Sequence, residues 1–189
     1  MKSTIIKPGR REFLKYGAAG TAAAVAWFIG ATEARAARKA SKKEIKNDID
    51  VANLALAAEH QAIFAYDLAV KSGLLSAAVK DVGVMFQQSH AGHLAALTGA
   101  IRNLGGAPVD ALASYTFSDP LKTEEDVVKL AYRLEVEAAQ AYLAAIPQLV
   151  DPDYVSTAAK ILGDEVTHAV FLRGALKKPP AAGMNDLAG

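Results

Sequence analysis

A glutamate placed seven residues ahead of a tyrosine, inside an alanine-rich apolar pattern, occurs twice in this chain. The first copy reads Ala58-Glu59-His60-Gln61-Ala62-Ile63-Phe64-Ala65-Tyr66, and the second Leu134-Glu135-Val136-Glu137-Ala138-Ala139-Gln140-Ala141-Tyr142. Each copy is followed by a further pair. His90-x-x-His93 begins 31 residues after Glu59, and Glu165-x-x-His168 begins 30 residues after Glu135. The offset between copies is 76 for the glutamates and 75 for both members of the following pairs. Such a doubled pattern constrains the fold to two similar helix pairs, each presenting polar side chains from an apolar face.

Steps of three and four put Ala52, Leu56, Glu59, Ile63, Tyr66 and Val70 on one stripe of a helix starting near residue 48, and Ser72-Gly73 supplies its stop. A second stripe holds Phe86, His90, His93, Leu97, Ile101 and Leu104, closed by Gly105-Gly106. The next 17 or so residues, with Pro108, Ser114, Ser118 and Pro120, read as a connection. Thr123-x-x-Asp126 is a capping-box-like start for a third helix, with Val128, Ala131, Glu135, Ala138, Tyr142 and Ala145 on its stripe and Pro147 at its end. Asp151-Pro152 starts a fourth, an N-cap followed by proline. Its stripe is Ala158, Ile161, Glu165, His168, Leu172 and Ala175, and Pro179-Pro180 stops it. Two short connections and one long middle connection predict an all-α four-helix bundle over 48–176, with a long crossover between helices 2 and 3 and a tail over 177–189.

Composition narrows the function. At 189 residues, 52% of them hydrophobic and only 7% aromatic, the chain suits one closely packed helical domain. Cysteine is absent, which excludes a disulfide framework, thiol catalysis, cysteine-ligated zinc and a lipoprotein anchor. The net charge of +1 hides an asymmetry: residues 1–36 hold six Lys/Arg and two Asp/Glu, leaving 15 basic against 18 acidic residues in the remainder. That balance offers no electrostatic footprint for nucleic acid. No glycine-rich phosphate loop and no Gly-x-Ser-x-Gly elbow occurs in the body. Ser89 beside His90 is no nucleophile–base pair, because adjacent helix residues point about 100° apart.

The amino terminus reads as an address. Gly9-Arg10-Arg11-Glu12-Phe13-Leu14-Lys15 resembles the twin-arginine export signal. The apolar run from Tyr16 to Ala31 is about 16 residues, short of the roughly 20 that span a bilayer, and Ala34-Arg35-Ala36 offers a small-x-small processing site. The resemblance implies a signal over 1–36, cleavage near Ala36, passage of a folded protein through the twin-arginine export machinery, a periplasmic or otherwise exported location and no stable membrane anchor. Residues 37–47, basic and polar, read as a loose lead-in.

Glu59, Glu135 and Glu165, with His90, His93 and His168, occupy stripe positions that a plain core would fill with Leu, Ile or Ala. Burying an unpaired carboxylate is costly, so these groups must satisfy one another or coordinate a cation. The first outcome describes a metal-free helical scaffold or binding module of the cell envelope, and the second a metal centre. The (i, i+3) spacing of His90/His93 and of Glu165/His168 puts both members of each pair on one face, one turn apart. Tyr66 and Tyr142, two turns from their glutamates, read as interior aromatics with bonded hydroxyls, as hydrogen-bond donors behind the ligands or as redox-active tyrosines. His60 and Glu137 fall off the stripe, toward solvent or a neighbouring helix. Arg102 and Arg173 read as surface or helix-end charges.

These residues resemble the ferritin-like superfamily, and most of all its small exported members. That superfamily takes one glutamate from each of two helices and a Glu-x-x-His from each of the other two. Glu59 and Glu135 match the single glutamates, Glu165-x-x-His168 matches one pair, and His93 matches the second histidine. His90 departs, standing where the pattern has a glutamate. The resemblance implies one or two divalent transition-metal ions, iron first, with manganese, zinc or copper as alternatives. With three carboxylates, two divalent ions would leave a net charge of about +1 and one oxygen bridge fewer. It also implies, for a catalytic chain, metal-dependent oxidoreductase chemistry on iron, oxygen or peroxide; a homo-oligomer is compatible with the sequence, which points neither toward nor away from one.

Overall fold

The computed structural model describes residues 40–118 and 120–179. The export signal with Arg10 and Arg11, the first residues of the expected lead-in and the tail beyond residue 179 lie outside the described residues. Four helices make up the body: α1 (Lys42–Lys71), α2 (Ala77–Asn103), α3 (Glu124–Ala145) and α4 (Pro152–Ala175), with a 3-10 turn, Ile146–Gln148, between the last two. None of the helices described is long and apolar enough to cross a membrane.

Local chemistry explains most boundaries. α1 starts at Lys42, six residues before the expected start at 48, so Lys42–Asn47 are helical and not part of a loose lead-in. The cause is a capping box hidden among lysines. Ser41 N–H donates to the Glu44 carboxylate at 2.8 Å, and Glu44 N–H donates back to Ser41 Oγ at 3.3 Å. Thr123 and Asp126 make the capping box expected for α3, and Asp151 caps α4 ahead of Pro152. Pro147 sits in the 3-10 turn, just past the end of α3. At the end of α2, Gly105 takes φ +82°, Gly105 N–H bonds the Arg102 carbonyl and Gly106 N–H bonds the Ile101 carbonyl at 2.9 Å. α4 ends in the same turn, four residues before Pro179, but with Lys177 in the left-handed conformation at φ 55°.

Hydrogen bonds give the topology. α1 packs along α2, and α3 along α4, as two antiparallel hairpins. The hairpins meet through α1 with α3 and α2 with α4. α2 and α3 are therefore diagonal, and the chain between them must cross the bundle's length. It does so along α1: Asn53 bonds the Ala107 carbonyl and the Val109 N–H, and Phe64 packs on Tyr115 and Phe117 further up. At the far end Ser76 N–H donates to the Glu124 carboxylate, joining the starts of α2 and α3. At the near end Asp48, 1% exposed, accepts from Val150 N–H at 3.0 Å and Asp151 N–H at 2.7 Å, joining the starts of α1 and α4.

The core lies in two apolar clusters. One gathers Leu56, Leu97, Ile101, Leu149, Tyr154 and Ile161 at the end where α1 starts. The other gathers Tyr66, Phe86, Val128, Tyr132, Val136 and Leu172 at the opposite end. Between them runs a layer of ionisable side chains. On α3 the buried face is turned slightly from the expected stripe: Val136 and Ala139 are buried, Ala138 and Ala145 only half so. On α4 Ala175, expected on the buried stripe, is exposed at the helix end.

Candidate metal centre

Each helix contributes its middle to the polar layer. α1 brings Glu59, α2 His90 and His93, α3 Glu135, and α4 Glu165 and His168. All six are at most 6% exposed, with Glu165 at 0% and Glu135 at 1%. The six sequence-predicted ligands therefore meet. His60 turns to the Val109 carbonyl of the crossover, and Glu137 is exposed near Arg133.

His90 lies at the centre, its ring stretched between the two single glutamates. Its Nδ1 is 2.8 Å from Glu59 Oε2 and its Nε2 is 3.1 Å from Glu135 Oε1. His93 Nδ1 lies 3.5 Å from Glu59 Oε2 and 3.2 Å from Glu165 Oε1. His168 Nδ1 lies 3.3 Å from Glu135 Oε2 and 3.5 Å from Glu165 Oε2. The tyrosines cross over: Tyr66 of α1 donates to Glu135 of α3, and Tyr142 of α3 donates to Glu59 of α1 at 2.9 Å. Both act as hydrogen-bond donors behind the glutamates. Burial and the Glu135 charge push the Tyr66 hydroxyl well above its ordinary value, and burial and Glu59 do the same to Tyr142, so both stay protonated donors.

Burial alone would depress the imidazoles, but the carboxylates outweigh it. Hydrogen bonds to Glu135 and Glu59 push His90 up to about 10, the nearby Glu165 and Glu59 carboxylates push His93 to about 10, and Glu135 and Glu165 together push His168 to about 9. Burial would raise Glu59 and Glu135, yet the histidines hold Glu59 below the usual carboxylate range, and Glu165 and the histidines hold Glu135 below it. Glu165 goes the other way, raised by burial and by the neighbouring Glu135 carboxylate, so it keeps a proton more readily than its neighbour. Three imidazolium and two to three carboxylate charges thus come close to cancelling in the metal-free layer.

Three atoms escape this cancellation. His93 Nδ1 and both Glu165 oxygens are buried with no hydrogen-bond partner, because their 3.2–3.5 Å neighbours are near enough for attraction but not aligned to bond. A carboxylate sunk between four helices with neither oxygen bonded is a costly group unless a cation joins it. One ligand atom each from Glu59, His90, His93 and Glu165 lie within 4.8 Å of one another, as do atoms from His90, Glu135, Glu165 and His168. Ligands on opposite sides of one ion stand about 4.0–4.6 Å apart, twice a bond of 2.0–2.3 Å. Each group of four is therefore near the size one ion needs. Glu165 and His90 belong to both.

Two residues outside the expected ligand and donor set support the layer. Asp164 Oδ2 sits 3.2 Å from His93 Nε2, holding the outer ring nitrogen and leaving Nδ1 turned inward. Phe86 stacks on His168 with ring centroids 4.0 Å apart. Asp164 is the residue before a stripe glutamate, and nothing in its spacing singles it out. Asp48, by contrast, falls four residues before Ala52 on the α1 stripe, a signal that would have found it. A cavity of about 470 Å³ between α1 and α3 leads from the surface to Glu59, His90, Glu135 and Glu165.

The ferritin-like domain family model matches residues 47–178. Among solved structures, a conserved hypothetical protein from Mycobacterium tuberculosis is 22% identical with a TM-score of 0.66, over 74% of this chain and 97% of that one. Ferritin-like, diiron-carboxylate proteins from Bacillus anthracis str. Ames match at 22% identity and TM-score 0.62, over 72% and 99%. A dodecameric thioferritin, the bacterioferritin-related protein from Bacteroides fragilis, matches at 21% and 0.62, over 70% and 86%. No curated protein matches the chain. At these identities the likeness is one of fold.

Proposed function

We propose that this chain, which belongs to the ferritin-like domain family, holds one or two transition-metal ions between Glu59, His90, His93, Glu135, Glu165 and His168 and uses them in redox handling of iron, oxygen or peroxide. One observation carries the reading: Glu165 is fully buried, has both oxygens unpartnered, and belongs to both groups of ligand-type atoms. Iron is the first choice, supported by the diiron-carboxylate relatives of the same fold. Manganese, zinc and copper suit the same mixture of imidazole and carboxylate. A bound redox metal supplies the electron transfer and polarises an oxygen-containing substrate. The protein's part is positional. Glu165 offers one oxygen to each group, His93 and His168 close the groups, and Tyr142 and Tyr66 steady Glu59 and Glu135. Asp164 fixes the His93 ring with its inner nitrogen toward the centre.

The chain is proposed to act in the periplasm or a comparable exported location, delivered by the twin-arginine machinery, on the strength of the Arg10-Arg11 motif and the apolar run behind it. The dodecameric relative supports a homo-oligomeric form. A metal-free envelope scaffold is the second reading, favoured by the near-cancelling charges of the layer.

Metal analysis of protein purified from its native compartment separates the readings. The expected result is one to two metals per chain, falling by about tenfold or more in Glu165→Ala. Less than about 0.2 metal per chain, unchanged in the variant, establishes the scaffold instead. Mass spectrometry of the same sample is expected to find the chain beginning near Ala37, and an intact Met1 would end the cleaved-signal reading.

A further inference from the structure

The cavity between α1 and α3 has walls that neither the fold nor a metal centre requires. Ala55, Ala58 and Ala62 on α1 face it from one side, and Ala138, Ala141 and Ala145 on α3 from the other, both sets at helical steps of three and four. Alanine stripes usually let two helices approach closely. Here α1 and α3 are far less intimately packed than the partners within either hairpin, and the space of about 470 Å³ stays open. Larger apolar residues at these positions would fill it and gain burial, so the small ones forgo stability. The volume falls in the range of small-molecule pockets, which are mostly apolar with a few polar groups at one end. The polar end is the ligand layer, where Glu165 is fully buried and unpartnered.

The lining also selects by charge. No Lys or Arg lines the cavity among the described residues, and Glu137 stands at its mouth. An anionic head would face the Glu59, Glu135 and Glu165 carboxyls at the inner end, where the one cationic lining group, His90, is already bonded at both ring nitrogens. A hydrated cation would have to shed water along alanine walls. We infer that the α1–α3 cavity binds an uncharged, mainly hydrocarbon small molecule whose inner end lies against the Glu59–Glu135 layer. As a statement about the substrate of the metal centre this rests on the function proposed above. As a binding site it stands alone.

The test uses the full chain with the uncharged fluorophore N-phenyl-1-naphthylamine, displaced by 1-dodecanol or by dodecanoate. Saturable one-to-one binding is expected, with the alcohol displacing the probe about tenfold better than the carboxylate. Ala138→Trp should weaken the probe by about tenfold or more while circular dichroism stays unchanged. If Ala138→Trp does not fold, Ala141→Phe at the exposed edge of the cavity carries the same expectation. Leu112→Ser, on an exposed crossover residue away from the cavity, should leave the probe unaffected. Unsaturable binding, equal affinity in the filled variants, loss in Leu112→Ser, or a preference for dodecanoate would each overturn the inference. Metal content is measured on the same samples. Loss of metal with the probe still bound removes the metal reading only, and loss of probe binding with metal retained removes this one only.

Discussion

The α1–α2 hairpin meets the polar layer with His90 and His93, the α3–α4 hairpin with Glu165 and His168, and the two pairs are surrounded differently. His90 is bonded at both ring nitrogens, to Glu59 and to Glu135. Glu165, its counterpart 75 positions on, has neither oxygen bonded. One member of the pair is held by hydrogen bonds, the other only by the attraction of His93 and His168 at 3.2 and 3.5 Å. The histidines differ as well, since His93 has a carboxylate behind it in Asp164 and His168 has the Phe86 ring on its face. Two near-copies of one pattern thus divide the work: the first hairpin supplies most of the positive charge that holds the layer together, and the second supplies the carboxyl group whose oxygens are left unbonded.

The sharpest way to break this division is to remove an anion from beneath the histidines. Glu135 receives His90, His168 and Tyr66, whereas Glu59 has His90 and Tyr142 as its bonded donors. Removing one partner of a buried ion pair costs about 3–5 kcal/mol. Glu135→Ala should therefore lower the melting temperature of the metal-free protein by roughly 6–20 °C at about 2–4 °C per kcal/mol, and Glu59→Ala by less. An equal or reversed order would mean that the crossing bonds do not carry the layer. The tyrosines give a smaller effect: Tyr66→Phe and Tyr142→Phe each remove a hydrogen bond to a charged group, worth about 1.5–3 kcal/mol in chemical denaturation. Asp164→Asn should weaken metal binding by about 10–100-fold without a comparable loss of stability, read by calorimetric titration, while Phe86→Leu should act mainly on stability.

Acidity provides a milder probe of the same comparison. The histidine pKa values are raised from the usual 6.5 to about 10, about 10 and about 9 for His90, His93 and His168. A raised folded value contributes stability that is complete below about 6.5 and is lost as pH climbs through 9–10. Metal-free protein should therefore melt at progressively lower temperature across that window. Glu59 and Glu135, held low, contribute above about 4.5 and lose their share as pH falls through their folded values. Loading metal should release protons, because the imidazolium side chains must deprotonate to act as ligands, and the loaded protein should then show less alkaline decline. The smallest effect lies at the hairpin ends, where Gly105 and Lys177 adopt the same left-handed turn. Lys177→Gly should raise stability by about 1 kcal/mol, since only the lysine has a side chain to strain there.

Much of this was legible in the residues. The stripe positions of Glu59, Glu135, Glu165, His90, His93 and His168 located all six members of the layer, because burying an ionisable group on a periodic apolar face is rare without cause. The glycine, proline and aspartate signals located most helix ends for equally local reasons. The start of α1 was obscured because Ser41 and Glu44 are separated by two lysines, which look like solvated chain until the reciprocal bonds are seen. Asp164 was invisible because its partner comes from another helix, and rotation about α3 was set by packing that no stripe encodes. The crossing of Tyr66 and Tyr142 between hairpins could not be read from either copy alone. It is a property of the pair.

The bonds of Asp48 have a consequence in time. They join residues 102 and 103 positions apart in a molecule whose hairpins form from neighbours in sequence. Closing so long a loop is entropically expensive and comes late, once local structure can reward it. The joint between hairpins should then be the last region to knit during refolding and the first to open. The Val150 and Asp151 amides should exchange with solvent deuterium sooner than those at the centre of α2, making this single buried carboxylate the latch whose opening precedes separation of the halves.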